Sequence, residues 1–128
     1  MKYWFGLALM MAVPAVAAAP ANVDITGTWT LAAEVQGVSV AETCALTQST
    51  EGKVTGSCDT STGKYDTTGT ITDNTAILQH GGEYEGTKLV MTYTGKVGSD
   101  GAMTGTLDVD PFSVTGSFSA KKGDAAAK

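Results

Sequence analysis

Residues 43–59 read TCALTQSTEGKVTGSCD, which is two short β-like segments on either side of a turn signal. A three-residue hairpin loop places glycine at its third position, where the backbone is left-handed, and Thr50-Glu51-Gly52 fits this pattern. Counting outward from this loop, Cys44 falls opposite Cys58. The stretch therefore predicts a β-hairpin with one cysteine at the same height on each strand.

The hairpin places the two cysteines at a non-hydrogen-bonded pair, where opposed Cα atoms approach to about 4.5 Å. A disulfide tolerates that separation, so we predict a cross-strand bridge between Cys44 and Cys58, with two buried thiols as the alternative. Closing a loop of about 15 residues stabilises a protein by at most roughly 3 kcal/mol in the chain-entropy model.

The N-terminus has the layout of a secretory signal peptide. Lys2 precedes an apolar run over residues 3–13, and a small-residue stretch follows over 15–21. The run is too short for a membrane anchor, which is the weaker alternative. We expect cleavage between residues 18 and 22, a periplasmic or secreted location, one domain over 22–122 and a disordered tail over 123–128.

The charge balance excludes some partners. The chain has a net charge of −5 and no arginine, and loss of residues 1–21 makes the charge −6. Nucleic-acid binding needs a basic face, so we expect no nucleic-acid partner. The acidic balance is typical of a protein kept soluble by its charge.

Short alternating segments separated by Gly, Asn and Asp indicate an all-β protein. The pattern predicts eight antiparallel strands in up-and-down order. They span residues 25–35, 38–49, 53–59, 64–72, 75–80, 87–97, 102–109 and 112–121.

A Thr-Gly-Thr-like repeat recurs in these strands, and its glycines share a face with the apolar residues. The glycines are Gly27, Gly56, Gly69, Gly95, Gly105 and Gly116. Such glycines mark close backbone approach, which favours closure into an eight-stranded β-barrel over a flat two-sheet sandwich. The opposite face carries Thr, Ser, Asp and Lys, so we expect no lipid-facing band and no membrane span.

Turn lengths predict that the two ends of the barrel differ. One end carries three tight turns and the large apolar side chains Trp29 and Phe118, so we expect a packed, closed end. The other end includes a looser stretch over residues 81–86. We therefore expect an open mouth there, with room for one small ligand.

Five inward residues near the mouth are candidate ligand-binding residues: Glu42, Tyr65, His80, Tyr84 and Tyr93. A bulge in the second strand would instead turn Glu42 outward. The tyrosines are also suitable as amphipathic core residues.

Little in the sequence points to catalysis. His80 is the only histidine, so neither a histidine-rich metal site nor a Ser-His-Asp triad has support, although Glu42 and His80 form an acid–base pair if both face inward. The cysteine spacing is not C-x-x-C. We expect no enzyme activity, no metal and no cofactor.

Gly27-Thr28-Trp29, followed by up-and-down β patterning, resembles the calycin superfamily of lipocalins and avidins. The resemblance implies a Trp at the closed end, with Lys121 or Lys122 over its ring. The chain departs from that pattern because, after residue 21, it lacks the further tryptophans of avidins, the lipocalin T-D-Y motif and the C-terminal helix. It is also similar to small Gly-Thr-rich barrel modules of exported bacterial proteins.

These features predict a monomeric exported barrel that binds a small, partly apolar molecule at its open end. The alternative is an inhibitor of an exported protease or lysozyme, or a surface interaction module. Some such inhibitors begin with a similar G-x-W. Either would act through the outer surface or the N-terminal arm, residues 21–24. A third possibility, stabilising a larger assembly, has no mark in the sequence.

Overall fold

The computed structural model describes residues 22–123, which form a closed barrel of eight antiparallel strands. Each strand pairs with the next along the chain, and the last pairs with the first. The strands are β1 (Gly27–Val35), β2 (Val38–Gln48), β3 (Lys53–Thr60), β4 (Gly63–Thr72), β5 (Thr75–Tyr84), β6 (Thr87–Val97), β7 (Met103–Asp110) and β8 (Val114–Lys122). The predicted fold class is confirmed.

Two predicted segments fall outside this range in whole or in part. The predicted signal peptide, residues 1–21, and residues 124–128 of the predicted tail lie outside the described residues. Gly123, predicted to begin the tail, donates a backbone hydrogen bond to the Thr28 carbonyl oxygen at 2.6 Å. The ordered pairing of β8 with β1 therefore extends one residue further than expected.

The β2–β3 hairpin has the predicted register. Cys44 lies opposite Cys58, and the two form a disulfide. The loop closes through a 2.8 Å hydrogen bond from the Ser49 amide to the Lys53 carbonyl oxygen, and Gly52 is left-handed at φ 85°. The left-handed glycine sets the loop length, and the loop length sets which residues of both strands face inward.

The repeated glycines lie where neighbouring backbones come too close for a side chain. A Cβ atom at Gly105 would lie 1.9 Å from the Thr94 carbonyl oxygen, and one at Gly69 would lie 2.0 Å from that of Ile77. Only glycine fits such positions, and these close approaches let the strands curl into a small barrel.

The N-terminal segment seals the closed end of the barrel. The Val23 amide donates to the Asp73 carbonyl oxygen at 2.8 Å, and Ile25 is fully buried. Trp29 Nε1 donates to the Ile25 carbonyl oxygen at 2.9 Å, while Lys122 Nζ lies 5.9 Å from the centre of the Trp29 ring. The predicted basic residue over the tryptophan is thus Lys122.

The turns at the opposite end differ from the prediction. We expected a loose stretch over residues 81–86, but β5 continues to Tyr84 and only Glu85 and Gly86 form the turn. Both turn residues are left-handed, at φ 49° and 84°, as in a two-residue hairpin. The adjacent glycines at 81 and 82 suggested a loop, although they lie within a strand. Similarly, β8 begins at Val114, two residues later than predicted.

Across residues 22–123, no helix is long and apolar enough to cross a membrane.

The seal at the closed end predicts a stability difference between two isoleucines. Ile25→Ala removes a fully buried side chain and should lower the free energy of unfolding by about 2–5 kcal/mol. Ile77→Ala, at a side chain that is 44% exposed, should change it by less than about 1 kcal/mol. Urea denaturation of both variants measures the difference, and equal effects would show that Ile25 does not seal the barrel.

Candidate functional site

A cavity of about 690 Å³ opens at the end of the barrel opposite Trp29. Its wall is mostly aliphatic, and it reaches from the turns of the open end down to Glu42. The apolar lining residues are Val35, Val38, Val40, Leu89, Met91, Val109 and Val114, with Tyr84 and Phe112 at the rim. We call this space the mouth cavity.

The turns around the cavity are short, so long loops do not form it. The cavity forms where two neighbouring strands stop pairing and where one inward position has no side chain. Strands β4 and β5 pair only as far as Thr67 and His80. Beyond His80, strand β5 pairs with β6 alone. Gly82 faces inward on this free part of β5 and contributes no side chain to the lumen. Gly82 belongs to the stretch predicted to be a loose loop. In the structure it lies in a strand and leaves space inside the barrel wall.

Glu42 and His80 meet inside the barrel at the inner end of the cavity. Each residue is only 3% exposed. His80 Nε2 lies 2.8 Å from Glu42 Oε1, and His80 Nδ1 forms a short hydrogen bond with the Gly81 carbonyl oxygen. Strand β2 keeps a regular alternation through Glu42, so the bulge that would have turned this side chain outward does not occur.

The contacts of the His80 ring define its protonation. The Gly81 carbonyl oxygen only accepts hydrogen bonds, so Nδ1 carries a proton. A second proton lies between Nε2 and Glu42 Oε1, which favours an imidazolium–carboxylate pair. Burial lowers the pKa of His80, but the hydrogen bond and charge of Glu42, together with the Gly81 carbonyl, outweigh burial and raise that pKa above its usual value.

Tyr93 extends this group toward the centre of the barrel. Its ring centre is 5.5 Å from that of His80 and 5.0 Å from that of Phe118, which it meets edge-on. Burial and the nearby Glu42 carboxylate raise the pKa of the Tyr93 hydroxyl far above its usual value. Neither this hydroxyl nor Glu42 Oε2 has a hydrogen-bond partner, although both are buried.

The other two candidate residues lie further out. The Tyr65 ring stacks beside His80 at a centre distance of 6.2 Å, and a 3.0 Å hydrogen bond joins its hydroxyl to Thr62 Oγ1. Tyr84 is 45% exposed on the rim, where its ring packs edge-on against Phe112. The structure thus brings four of the predicted residues together and leaves Tyr84 at the entrance. Of the five, only Glu42 and Tyr84 line the mouth cavity.

Three residues of this region were not predicted. Thr67 is buried and donates to Cys58 Sγ at 3.2 Å. The alternation of its strand placed Thr67 on the inward face, so this signal was present in the sequence. Met91 lies opposite His80 in the pairing of β5 with β6, and strand alternation likewise placed it on the inward face. Phe112 lies in a turn, where alternation gives no information.

One group of potential metal ligands occurs among residues 22–123. Ligand atoms of Glu42, Cys44 and Cys58 lie within 4.8 Å of one another. Both sulfur atoms belong to the disulfide and offer no thiolate, which is the form that binds metal ions. The arrangement does not fit a metal site in this oxidised state.

Comparison with models of known protein families and with curated protein sequences finds no match for this chain.

The Glu42–His80 pair predicts how stability depends on pH. Since the pKa of His80 is raised on folding, the pair stabilises the folded protein fully below the unfolded pKa of about 6.5. This stabilisation is lost as the pH rises through the folded pKa. Urea unfolding between pH 5.5 and 9 should therefore show a decline in the free energy of unfolding on the alkaline side.

Glu42→Gln is the matched variant, because it keeps the shape and removes the charge. Burial then dominates, so the pKa of His80 should fall below its usual value and stability should decline toward acid pH. The NMR titration of His80, the only histidine, measures both values directly. The same titration curve in both proteins would contradict this account.

Proposed function

We propose that this protein binds a small, partly apolar molecule in the mouth cavity. The observation that carries the proposal is the cavity itself, because its volume of about 690 Å³ lies within the roughly 300–1,000 Å³ typical of ligand sites. Its aliphatic wall suits an apolar body, and Glu42 at its inner end suits one polar group.

The rim supports the same function. Val38, Tyr84 and Phe112 remain more than two-fifths exposed, although each side chain is large and apolar. Together they surround the entrance of the mouth cavity. Exposed apolar groups around a concave site are typical of ligand-binding entrances, since the ligand completes their burial.

A calycin-like relationship belongs to this proposal. It is supported by the closed eight-stranded barrel and by Trp29 at the sealed end beneath Lys122. An exported location is supported by the disulfide, because such bonds persist in oxidising compartments.

We do not extend the proposal to the inhibitor hypothesis. That hypothesis relied partly on a free N-terminal arm at residues 21–24. In the described part of this arm, Asn22 and Val23 hydrogen-bond to Asp73 at the closed end.

Filling the cavity should abolish binding. Leu89→Trp adds bulk inside the mouth cavity, whereas Val90→Trp places the same ring on the outer face of the same strand. With the neutral probe N-phenyl-1-naphthylamine, fluorescence titration should show at least a tenfold weaker affinity for Leu89→Trp. Val90→Trp should bind within about threefold of the unaltered protein, since surface changes have small effects.

Equal affinities in all three proteins would place the probe elsewhere and refute the proposal. Native mass spectrometry of protein purified from its own host gives an independent measurement. A bound small molecule is expected in the unaltered protein and in Val90→Trp, but not in Leu89→Trp. Its presence in all three would also contradict binding in the mouth cavity.

A further inference from the structure

We propose that the ligand carries a positively charged nitrogen, which binds the Glu42 carboxylate at the inner end of the mouth cavity. This inference rests on the proposed function and specifies the class of ligand: an amine with an apolar body.

The first argument is the unused hydrogen-bonding capacity of Glu42. Its Oε1 atom is held by His80, whereas Oε2 is shielded from solvent and has no hydrogen bond of normal geometry, although the equally unpartnered Tyr93 hydroxyl lies close to this carboxylate. A buried acceptor without a partner is unfavourable, and a carboxylate accepts most strongly from a charged donor. An ammonium group satisfies Oε2, whereas a carboxylate or phosphate group has no proton to donate to it.

The second argument is the charge of the cavity. Two of its described lining residues, Glu42 and Glu83, are acids, and none of the described lining residues is a lysine. Nearby Lys64 lies 3.9 Å from Asp59 at an exposed position outside the cavity wall. An anionic ligand would therefore meet two acids and no lysine in the described wall, since the His80 imidazolium is already held by Glu42 and Lys88, opposite Glu83, is exposed outside the lining.

Because Oε2 is shielded from solvent, a ligand reaches it only if a side chain at the inner end of the cavity moves. Met91 is opposite His80 and lines the cavity, and its sulfur lies against Gly82. Methionine is unbranched and changes rotamer easily, and Gly82 has no side chain to block that movement. We expect the ligand to bind with its nitrogen toward Glu42 and its apolar body in the space next to Met91.

Binding should be coupled to the proton on His80. The titratable groups packed around its ring in the described barrel are Glu42 from β2, Tyr65 from β4 and Tyr93 from β6. A ligand ammonium adds a second positive charge beside Glu42, which lowers the pKa of His80. His80 should therefore have a lower pKa in the complex than in the free protein, with Nε2 still donating to Oε1 and the ammonium donating to Oε2.

Three probes with the same ten-carbon chain test the inference: decylamine, decanol and decanoate, each below its micelle concentration. At pH 7.5, isothermal titration calorimetry should give decylamine an affinity at least about tenfold higher than decanol, as a charge-assisted hydrogen bond allows. Decanoate should bind weakest. NMR titration of His80 should give a lower pKa with decylamine bound than in the free protein, and no such change with decanol.

Two variants distinguish a specific role of Glu42 from a general effect of negative charge in the cavity. Glu42→Gln should lower the affinity for decylamine at least about tenfold and change the affinity for decanol by less than about threefold. Glu83→Gln removes a rim acid of the same cavity and should weaken decylamine by less than about threefold, because an exposed charge is screened.

Several results would overturn the inference. Equal binding of all three probes, a preference for decanoate, or undiminished decylamine binding by Glu42→Gln would each refute the role of Glu42 while leaving an apolar ligand site intact. If Glu42→Gln does not fold, an unchanged His80 titration curve in the presence of decylamine refutes it instead. Binding of none of the probes, with N-phenyl-1-naphthylamine also unbound, would overturn the proposed function as well.

Discussion

The two-residue period of the β-strand is the constraint on which this structure depends. Once the β2–β3 loop sets Cys44 opposite Cys58, every second residue of β2 must face the lumen. Glu42 is one of these residues, so the fold carries a carboxylate into its interior. An unpaired charge there would be strongly unfavourable, and His80 from β5 meets it at 2.8 Å.

A buried ion pair of this kind contributes little net stability, because the loss of hydration offsets most of the attraction. An apolar pair of similar size would fill the same volume as well or better. The Glu42–His80 pair also leaves one oxygen and the Tyr93 hydroxyl without partners. These costs, located at the inner end of a cavity, support the proposal of a binding site there, because a core that serves stability alone seldom retains them.

Much of the barrel was predictable from residue patterns. Alternation gave the inward face of every strand, and the loop glycine at position 52 gave the register of the disulfide hairpin. The same reasoning brought Glu42, Tyr65, His80 and Tyr93 to one region. The prediction was wrong at Gly81 and Gly82. Adjacent glycines occur both in turns and in strands where pairing with one neighbouring strand ends. Local sequence does not distinguish the two cases.

The strand order, the inward residues and the bridge were readable from the chain, because they follow from local turn geometry and the period of two. The open mouth was also expected, but from a loose loop that is in fact part of β5, so its real cause lies in the assembled barrel. The turns around the mouth are short, and the cavity results from where β4 ends its pairing with β5 and from the missing side chain at Gly82. Strand stagger and lumen volume arise from closure of all eight strands together, so no single segment encodes them.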